Sequence, residues 1–345
     1  MFSLRQLRYF AAVARHRHFG RAAEECSVSQ PALSVQIREL EAMLGLSLIE
    51  RGRGRVELTE AGVEVERRAL EILAEARDLM DFAKHRKSVL TGSLRLGVIP
   101  SIAPYLLPAA LPALQTRFPQ LELHLRETMT ASLLQELGEG RLDVVLLSLP
   151  VEQPGFESIR LFDDAFVLAA PGDATAEAKR LPARLSELHS QNLLLLEEGH
   201  CLREQALTYC KTISPELRNQ FGASSLATII QMVANGYGAT LLPEIAIAAE
   251  LSADRRIGLM RFAEPQPMRT VGLVWRRSSP RKADFVELGR VFTEGAQAIL
   301  LAAAQRLDDD DAGYEDQAGA PPLAALSTPP KLSRISTAAM RRQQS

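Results

Sequence analysis

Arg21-Ala22-Ala23-Glu24-Glu25-Cys26-Ser27-Val28-Ser29-Gln30-Pro31-Ala32-Leu33-Ser34 decides how the rest of the chain is read. The small side chains of Ala22 and Ala23 let a second helix approach the first closely. Ser29 is placed to cap that second helix, and Pro31 fits its first turn, where the missing N–H is not required. Leu33, Ile37, Leu40 and Leu44 then follow at spacings of four, three and four and form one apolar face, while Gln30, Ser34 and Arg38 project from the other. A polar face that opens on Gln at a helix N-terminus suits the reading of base edges in a major groove. The stretch therefore predicts a helix-turn-helix, with Ser29, Gln30, Pro31, Ser34 and Arg38 at the DNA. Cys26 falls on the apolar side of the first helix and is expected to pack in the core.

Working outward, Ile49 to Leu58 places Gly52 and Gly54 at a turn between two short extended arms, the pattern of a wing. Arg51, Arg53 and Arg55 alternate on it and so share a face suited to phosphates or an adjacent minor groove. Residues 1–60 hold nine Arg, no Lys and seven Glu, a balance of only +2, so affinity has to come from placement and dimer valency. Thr59-Glu60-Ala61 opens a long helix in which Val65, Ala69, Ile72, Ala76, Leu79 and Ala83 are spaced as the seam of a coiled coil, which predicts dimerisation. An amphipathic helix packed on its own domain is the other reading of the same spacing.

The whole chain sets the limits. Its 345 residues suffice for two domains, and 40 Lys+Arg against 42 Asp+Glu leave a net charge of -2, so any basic surface is local. Neither a secretory leader nor an apolar run long enough for a membrane helix is read, which implies a soluble, cytoplasmic protein without a membrane partner. Cys26, Cys201 and Cys210 are too few for a disulfide scaffold and lack the neighbours of a zinc site, so neither metal nor cofactor is expected.

Past Thr91-Gly92 strands and helices alternate. Strands are read at 93–99, 121–126, 142–147 and 193–196, near Phe221, and at 239–242 and 269–275, with extended runs at 159–161 and 166–170. Helices are read at 104–118, 131–137, from about His200, at 225–234 and at 284–304. This order implies two α/β lobes with a cleft between them and a mainly parallel sheet covered on both faces. The expected division is a winged helix-turn-helix at 1–60, a linker and dimerisation helix at 61–90, a regulatory domain at 91–306, and an acidic, Pro-containing tail at 307–345 with little to bury, which is expected to be disordered.

On these residues the N-terminal part resembles the LysR family: paired alanines, Val28 to Ser34, Leu40-Glu41, and Leu58 to Gly62 stand as the family has them. The resemblance implies DNA contact through the helix and wing, dimers through the linker helix, and a two-lobed, periplasmic-binding-protein-like (type 2) sensing domain. The fold class is thus α/β with an all-α N-terminal part. Val35, where many members carry a basic residue, and the Gly-rich wing depart from the pattern.

In the second half, Gly199-His200-Cys201-Leu202-Arg203-Glu204-Gln205-Ala206-Leu207-Thr208-Tyr209-Cys210 follows a buried strand and opens a helix. Free amides at a helix N-terminus and a neighbouring arginine both favour a thiolate at Cys201, and an accessible thiolate attacks peroxide. On one continuous helix, nine residues at ~1.5 Å rise would hold the two sulfurs about 13.5 Å apart and on opposite faces. A disulfide needs Cα atoms within about 7 Å, so joining them would require the helix to unwind. Plain packing of both cysteines is the competing reading, as a cap role is for His200 and a surface pair for Arg269.

This region, with Ser225-Leu226, Gly238 and Thr240 to Pro243, resembles the OxyR subfamily of peroxide sensors. By that resemblance Cys201 is the peroxidatic and Cys210 the resolving cysteine, and Ser101, Thr130, His200, Arg203 and Arg269 line the peroxide pocket. Ser101 stands where Thr is usual, keeping the hydroxyl. The implied protein is no enzyme but an activator of peroxide-defence genes. Its partners are promoter DNA, further copies of itself in a homodimer that assembles into a homotetramer, RNA polymerase, and hydrogen peroxide as the signal. A regulator of the same family that responds to a small organic effector, and a thiol peroxidase, are the alternatives.

Overall fold

The computed structural model describes residues 1–50, 56–84, 89–172, 193–209, 218–251 and 256–312. It opens with α1 (Leu4–His16), α2 (Phe19–Glu25) and α3 (Gln30–Leu44), then a two-stranded hairpin of β1 (Ile49–Glu50) and β2 (Glu57–Leu58), paired Ile49 to Leu58. Phe10, Val13, Ala22, Ala23, Leu33, Ile37, Leu40 and Leu48 close the core of this unit. Three family-pattern residues acquire a physical reason here. Glu41 Oε1 accepts the Leu48 and Ile49 amides at 2.8 and 3.3 Å, fixing the chain as it leaves α3. Thr59 Oγ1 accepts the Gly62 amide at 2.9 Å and so caps α4 (Glu60–Lys84). Gly62 is needed because a Cβ there would lie 2.1 Å from the Leu48 carbonyl oxygen. Cys26 ends α2, half-buried against this core, and burial pushes its thiol upward.

The α4 helix leans on both of its neighbours. Its first half packs on the winged-helix core through Val65, Ala69 and Leu73. Its second half meets the regulatory domain, where Asp78 pairs with Arg276 at 2.8 Å and Arg77 donates to the Glu139 carbonyl at 3.1 Å.

The regulatory domain contains β3 (Gly92–Val98), α5 (Ala103–Arg117), β4 (Leu121–Glu127), α6 (Thr130–Gly138), β5 (Val144–Leu149) and β6 (Phe156–Pro171). After residues 173–192 come β7 (Leu193–Leu196), α7 (Cys201–Tyr209), β8 (Arg218–Ala223), α8 (Leu226–Ala234) and β9 (Thr240–Pro243). The chain closes with α9 (Glu244–Glu250), β10 (Ile257–Arg261), β11 (Met268–Arg276) and α10 (Lys282–Ala312). In the first lobe β3 is parallel to β4 and β5, whereas β11 runs antiparallel to both β5 and β6. In the second, β6 pairs antiparallel with β9 and β10, β7 pairs parallel with β8, and a parallel bridge joins Leu193 to Ala239.

The expected architecture of mixed α/β lobes behind a helix-turn-helix is therefore present, with three differences. The extended runs at 159–161 and 166–170 are one strand, β6, whose first half belongs to the first lobe and whose second half to the other. Its antiparallel pairing makes the sheet mixed instead of mainly parallel. The short elements α9 and β10 give no signal in the sequence; each spans seven residues or fewer, too few for a periodic pattern. Buried residues of both lobes form one continuous core, with β5 and β9 covered along nearly their whole length.

Candidate functional site

The candidate residues gather at two sites, one at the tip of α3 and one in the cleft between the lobes. At the first, Ser29 caps α3 by accepting the Ala32 amide at 3.4 Å, and Pro31 sits in the first turn. Leu33, Ile37 and Leu40 are buried, which turns Gln30, Pro31 and Arg38 outward and leaves Ser34 half-buried. Arg38 Nε lies 3.4 Å from the Ser34 carbonyl, so its guanidinium stays on the exposed face. The structure brings these five residues onto one accessible helix face. Arg51, Arg53 and Arg55 lie outside the described residues.

Of the seam on α4, Val65 is half-buried and Ala69 1% exposed against the molecule's own winged-helix core, whereas Ile72 and Leu79 are 40% and 70% exposed. Ala76 lines a groove of about 610 Å³ between α1 and α4, together with Leu4, Ala11, Leu73 and Met80. Ala83 is in the helix, with its side chain outside the described set. The seam is thus divided: its first two positions serve the packing reading, whereas Ile72 and Leu79 stay exposed.

The cleft site begins with β7, four buried leucines that bring the chain to Glu197-Glu198-Gly199. Gly199 adopts φ +92°, a left-handed conformation that glycine tolerates, and α7 starts two residues later at Cys201. Cys201 is half-buried at the first residue of that helix, at the positive end of its dipole. Ser101, in the turn between β3 and α5, comes from the opposite lobe and places its Oγ 4.0 Å from the Cys201 sulfur. Arg269 of β11 stands behind Ser101, donating from Nη1 to its Oγ at 2.9 Å and from Nη2 to its carbonyl at 3.0 Å. The guanidinium is completely buried, so Arg269 is no surface pair.

Other contacts tie the same lobes together. Gln205 Nε2 donates to Ser148 Oγ at 2.6 Å, and the Tyr209 hydroxyl donates to the Met268 carbonyl at 2.6 Å. Arg203 is buried and donates to the Leu196 carbonyl at 3.0 Å, which fastens α7 to β7. His200 is buried just before α7, and burial holds its imidazole below the ordinary histidine range, with Glu197 opposing. Thr130 opens α6, and the preceding Met129 places its sulfur 4.0 Å from where a Cβ on Gly199 would be, so that helix end faces the Cys201 turn. Thr130 Oγ1, His200 Nε2 and Gln205 Oε1 are buried and have no hydrogen-bond partner among the described residues. Three polar atoms on elements that converge at this cleft therefore retain bonding capacity for a small polar molecule. Cys210 follows Tyr209 immediately and lies outside the described residues.

Sequence reasoning missed Asp164, Ser148 and Gln205. A signal for Asp164 exists: Asp163-Asp164 interrupts two apolar runs, but an acidic pair reads as a break between strands. Asp164 instead stands within β6, fully buried, as the cross-strand partner of Arg269. Burial pushes its carboxyl up, while the Arg269 cation and the Ile245 amide pull it down.

Residues 4–63 match the model of the bacterial regulatory helix-turn-helix protein, lysR family, and residues 87–296 match the LysR substrate binding domain. A probable hydrogen peroxide-inducible genes activator of Streptomyces viridosporus is 43% identical over 298 residues, covering 86% of this chain and 95% of the relative. Among solved structures, a full-length OxyR variant from Pseudomonas aeruginosa is similar with TM-score 0.72 and 36% identity, over 85% of this chain and 95% of that one. An H2O2-bound OxyR mutant of Corynebacterium glutamicum is similar with TM-score 0.61 and 36% identity, over 89% and 96%. With both halves matched and the fold shared, the chain belongs to the LysR family of bacterial transcription regulators and, within it, to the OxyR group.

Proposed function

We propose that this regulator senses hydrogen peroxide through Cys201 and converts its oxidation into a change of grip on promoter DNA, chiefly to activate peroxide-defence genes. The observation that carries the reading is the placement of the Cys201 sulfur at a helix N-terminus, 4.0 Å from a Ser101 hydroxyl that a buried Arg269 holds in place. The thiolate sulfur attacks one peroxide oxygen, an S–O bond forms as the O–O bond breaks, and the departing hydroxide leaves as water once protonated. Thr130 and His200, with unengaged buried atoms, are suited to hold the peroxide. The sulfenic acid then condenses with the Cys210 thiol, forming the disulfide and releasing a second water.

Gln30, Pro31, Ser34 and Arg38 of α3 are the base-reading and positioning residues, with Ser29 fixing the helix start and Arg51, Arg53 and Arg55 contacting the backbone from the wing. The exposed Ile72 and Leu79 of α4, with half-buried Ala76 in the groove along α1, receive the same helix of a second copy; two dimers then form the tetramer that engages RNA polymerase. Among the described residues no helix is long and apolar enough to cross a membrane. A sensor that must start from reduced thiols suits the cytoplasm.

Thiol titration before and after one equivalent of hydrogen peroxide tests the reading. Loss of two thiols per chain is expected, and their persistence would favour a small organic effector in the cleft instead. Consumption of peroxide far beyond one equivalent per chain would point to a thiol peroxidase.

A further inference from the structure

β6 carries a carboxylate that takes no part in the chemistry proposed for Cys201. Asp164 and Arg269 are directly opposite in the β6–β11 register, both side chains are fully buried, and they pair at 2.8 Å. A buried ion pair is costly to desolvate and is retained where its remaining hydrogen-bonding capacity is engaged. Here it is. Arg269 Nε donates to Asp164 Oδ2 at 2.9 Å, Nη1 and Nη2 bind the Ser101 hydroxyl and carbonyl oxygens, and Asp164 Oδ1 accepts the Ile245 amide at 3.1 Å. That amide lies in the first turn of α9, whose capping residue, Pro243, supplies no side-chain acceptor. One carboxylate therefore joins a helix of the second lobe to the arginine that grips Ser101.

The direction of the Ser101 hydroxyl follows. An N–H of Arg269 occupies a lone pair of Ser101 Oγ, which leaves the hydroxyl proton free to be donated, and the Cys201 sulfur lies 4.0 Å away. We propose that Asp164 is a positioning residue for the oxidation of Cys201: by orienting Arg269 it fixes the Ser101 hydroxyl beside the sulfur, where charge moves from sulfur to the departing peroxide oxygen. The inference rests on the reading of Cys201 as the peroxide-reactive thiol. In the step itself sulfur loses two electrons, the S–O bond replaces the O–O bond, and the proton given up by the thiol leaves with the hydroxide as water. Asp164 touches none of the reacting atoms and acts only on where the donor points.

The test uses full-length protein and two reagents on one thiol. Sulfenic acid formation with hydrogen peroxide and alkylation by iodoacetamide are both followed on the peptide carrying Cys201. Asp164→Asn keeps the shape and an acceptor for the Ile245 amide but removes the charge. It is expected to slow the peroxide reaction about tenfold or more while alkylation stays within about twofold, and Asp164→Glu, which keeps the charge on a longer arm, is expected to recover part of the rate while staying about threefold below wild type. An unchanged peroxide rate, or equal changes in both reactions, would overturn the proposal, the second because a merely loosened fold alters access to either reagent. Should Asp164→Asn fail to fold, Asp164→Glu is compared in the presence and absence of Ser101→Ala. Any effect of the glutamate must vanish without the hydroxyl, and an effect of equal size in both backgrounds would refute the relay. A wild type inert to peroxide would defeat the sensing reading itself, whereas a reactive wild type matched by Asp164→Asn defeats only this one.

Discussion

At Ser101 the hydroxyl is held from behind and faces a sulfur, so its removal has a bounded effect. A hydrogen bond to a charged group contributes about 1.5 kcal/mol or somewhat more. Ser101→Ala is accordingly expected to slow sulfenic acid formation roughly tenfold, read by stopped-flow with hydrogen peroxide, and to cost about 1–3 kcal/mol of stability because the buried Arg269 Nη1 loses its acceptor. His200 makes a different prediction. Its folded-state pKa is depressed by burial below the ordinary 6.5, so the unfolded chain binds more protons there. Its contribution to stability is therefore intact above about pH 6.5 and declines as pH falls from there toward the folded-state value. Denaturant midpoints at pH 7.5 and 5.5 should converge in His200→Asn relative to wild type. A wild-type midpoint that rises on acidification would contradict the assignment.

Much at this scale was legible in the sequence. Cys201 stood out because a thiol at a strand-to-helix junction has a chemical meaning apart from any fold. Asp164 did not, because a buried carboxylate is recognisable only by its cross-strand partner, 105 residues away. Ser148 and Gln205 were equally unreadable, since their bond exists only once the two lobes face each other.

Elements carry the next predictions. Gly62 opens α4 against the Leu48 carbonyl, and the 2.1 Å approach of a Cβ there forces backbone apart. Gly62→Ala should destabilise the winged helix by about 1–3 kcal/mol, visible as a lower melting temperature and weaker DNA binding at 37 °C. The far end of α7 is clamped to β11, with Tyr209 bonding the Met268 carbonyl at 2.6 Å and its amide at 3.2 Å and meeting Phe166 edge-on at 6.2 Å. If Cys210 reaches Cys201 by unwinding this helix, that clamp has to open. Tyr209→Phe is expected to speed disulfide formation after the sulfenic acid has formed, without altering the peroxide step, in a two-phase kinetic trace. The start of α3 and its apolar face were readable because cap, periodicity and turn residues agree locally. The linker seam was readable only in part, because one apolar stripe serves two purposes and spacing alone does not say where the inward half ends.

Across the whole molecule, the cleft is joined to the linker helix by elements that reach both. α6 begins at Thr130 near the cysteine turn, and the carbonyl of its Leu137 accepts from Arg276, which pairs with Asp78 of the linker helix. β11 likewise carries Arg269 at one end and Arg276 at the other. The order of lobes was legible from alternating strands and helices, but the crossing of β6 between them was not, since pattern reports burial and not which sheet receives a strand.

The claim on which everything turns is that oxidation of one sulfur changes how the molecule holds DNA. Footprinting a promoter with full-length wild type and Cys201→Ser, each with and without hydrogen peroxide, addresses it most directly. The wild-type footprint is expected to shift on oxidation while that of Cys201→Ser stays in its reduced form throughout. A serine variant whose footprint still responds to peroxide as wild type does would contradict it.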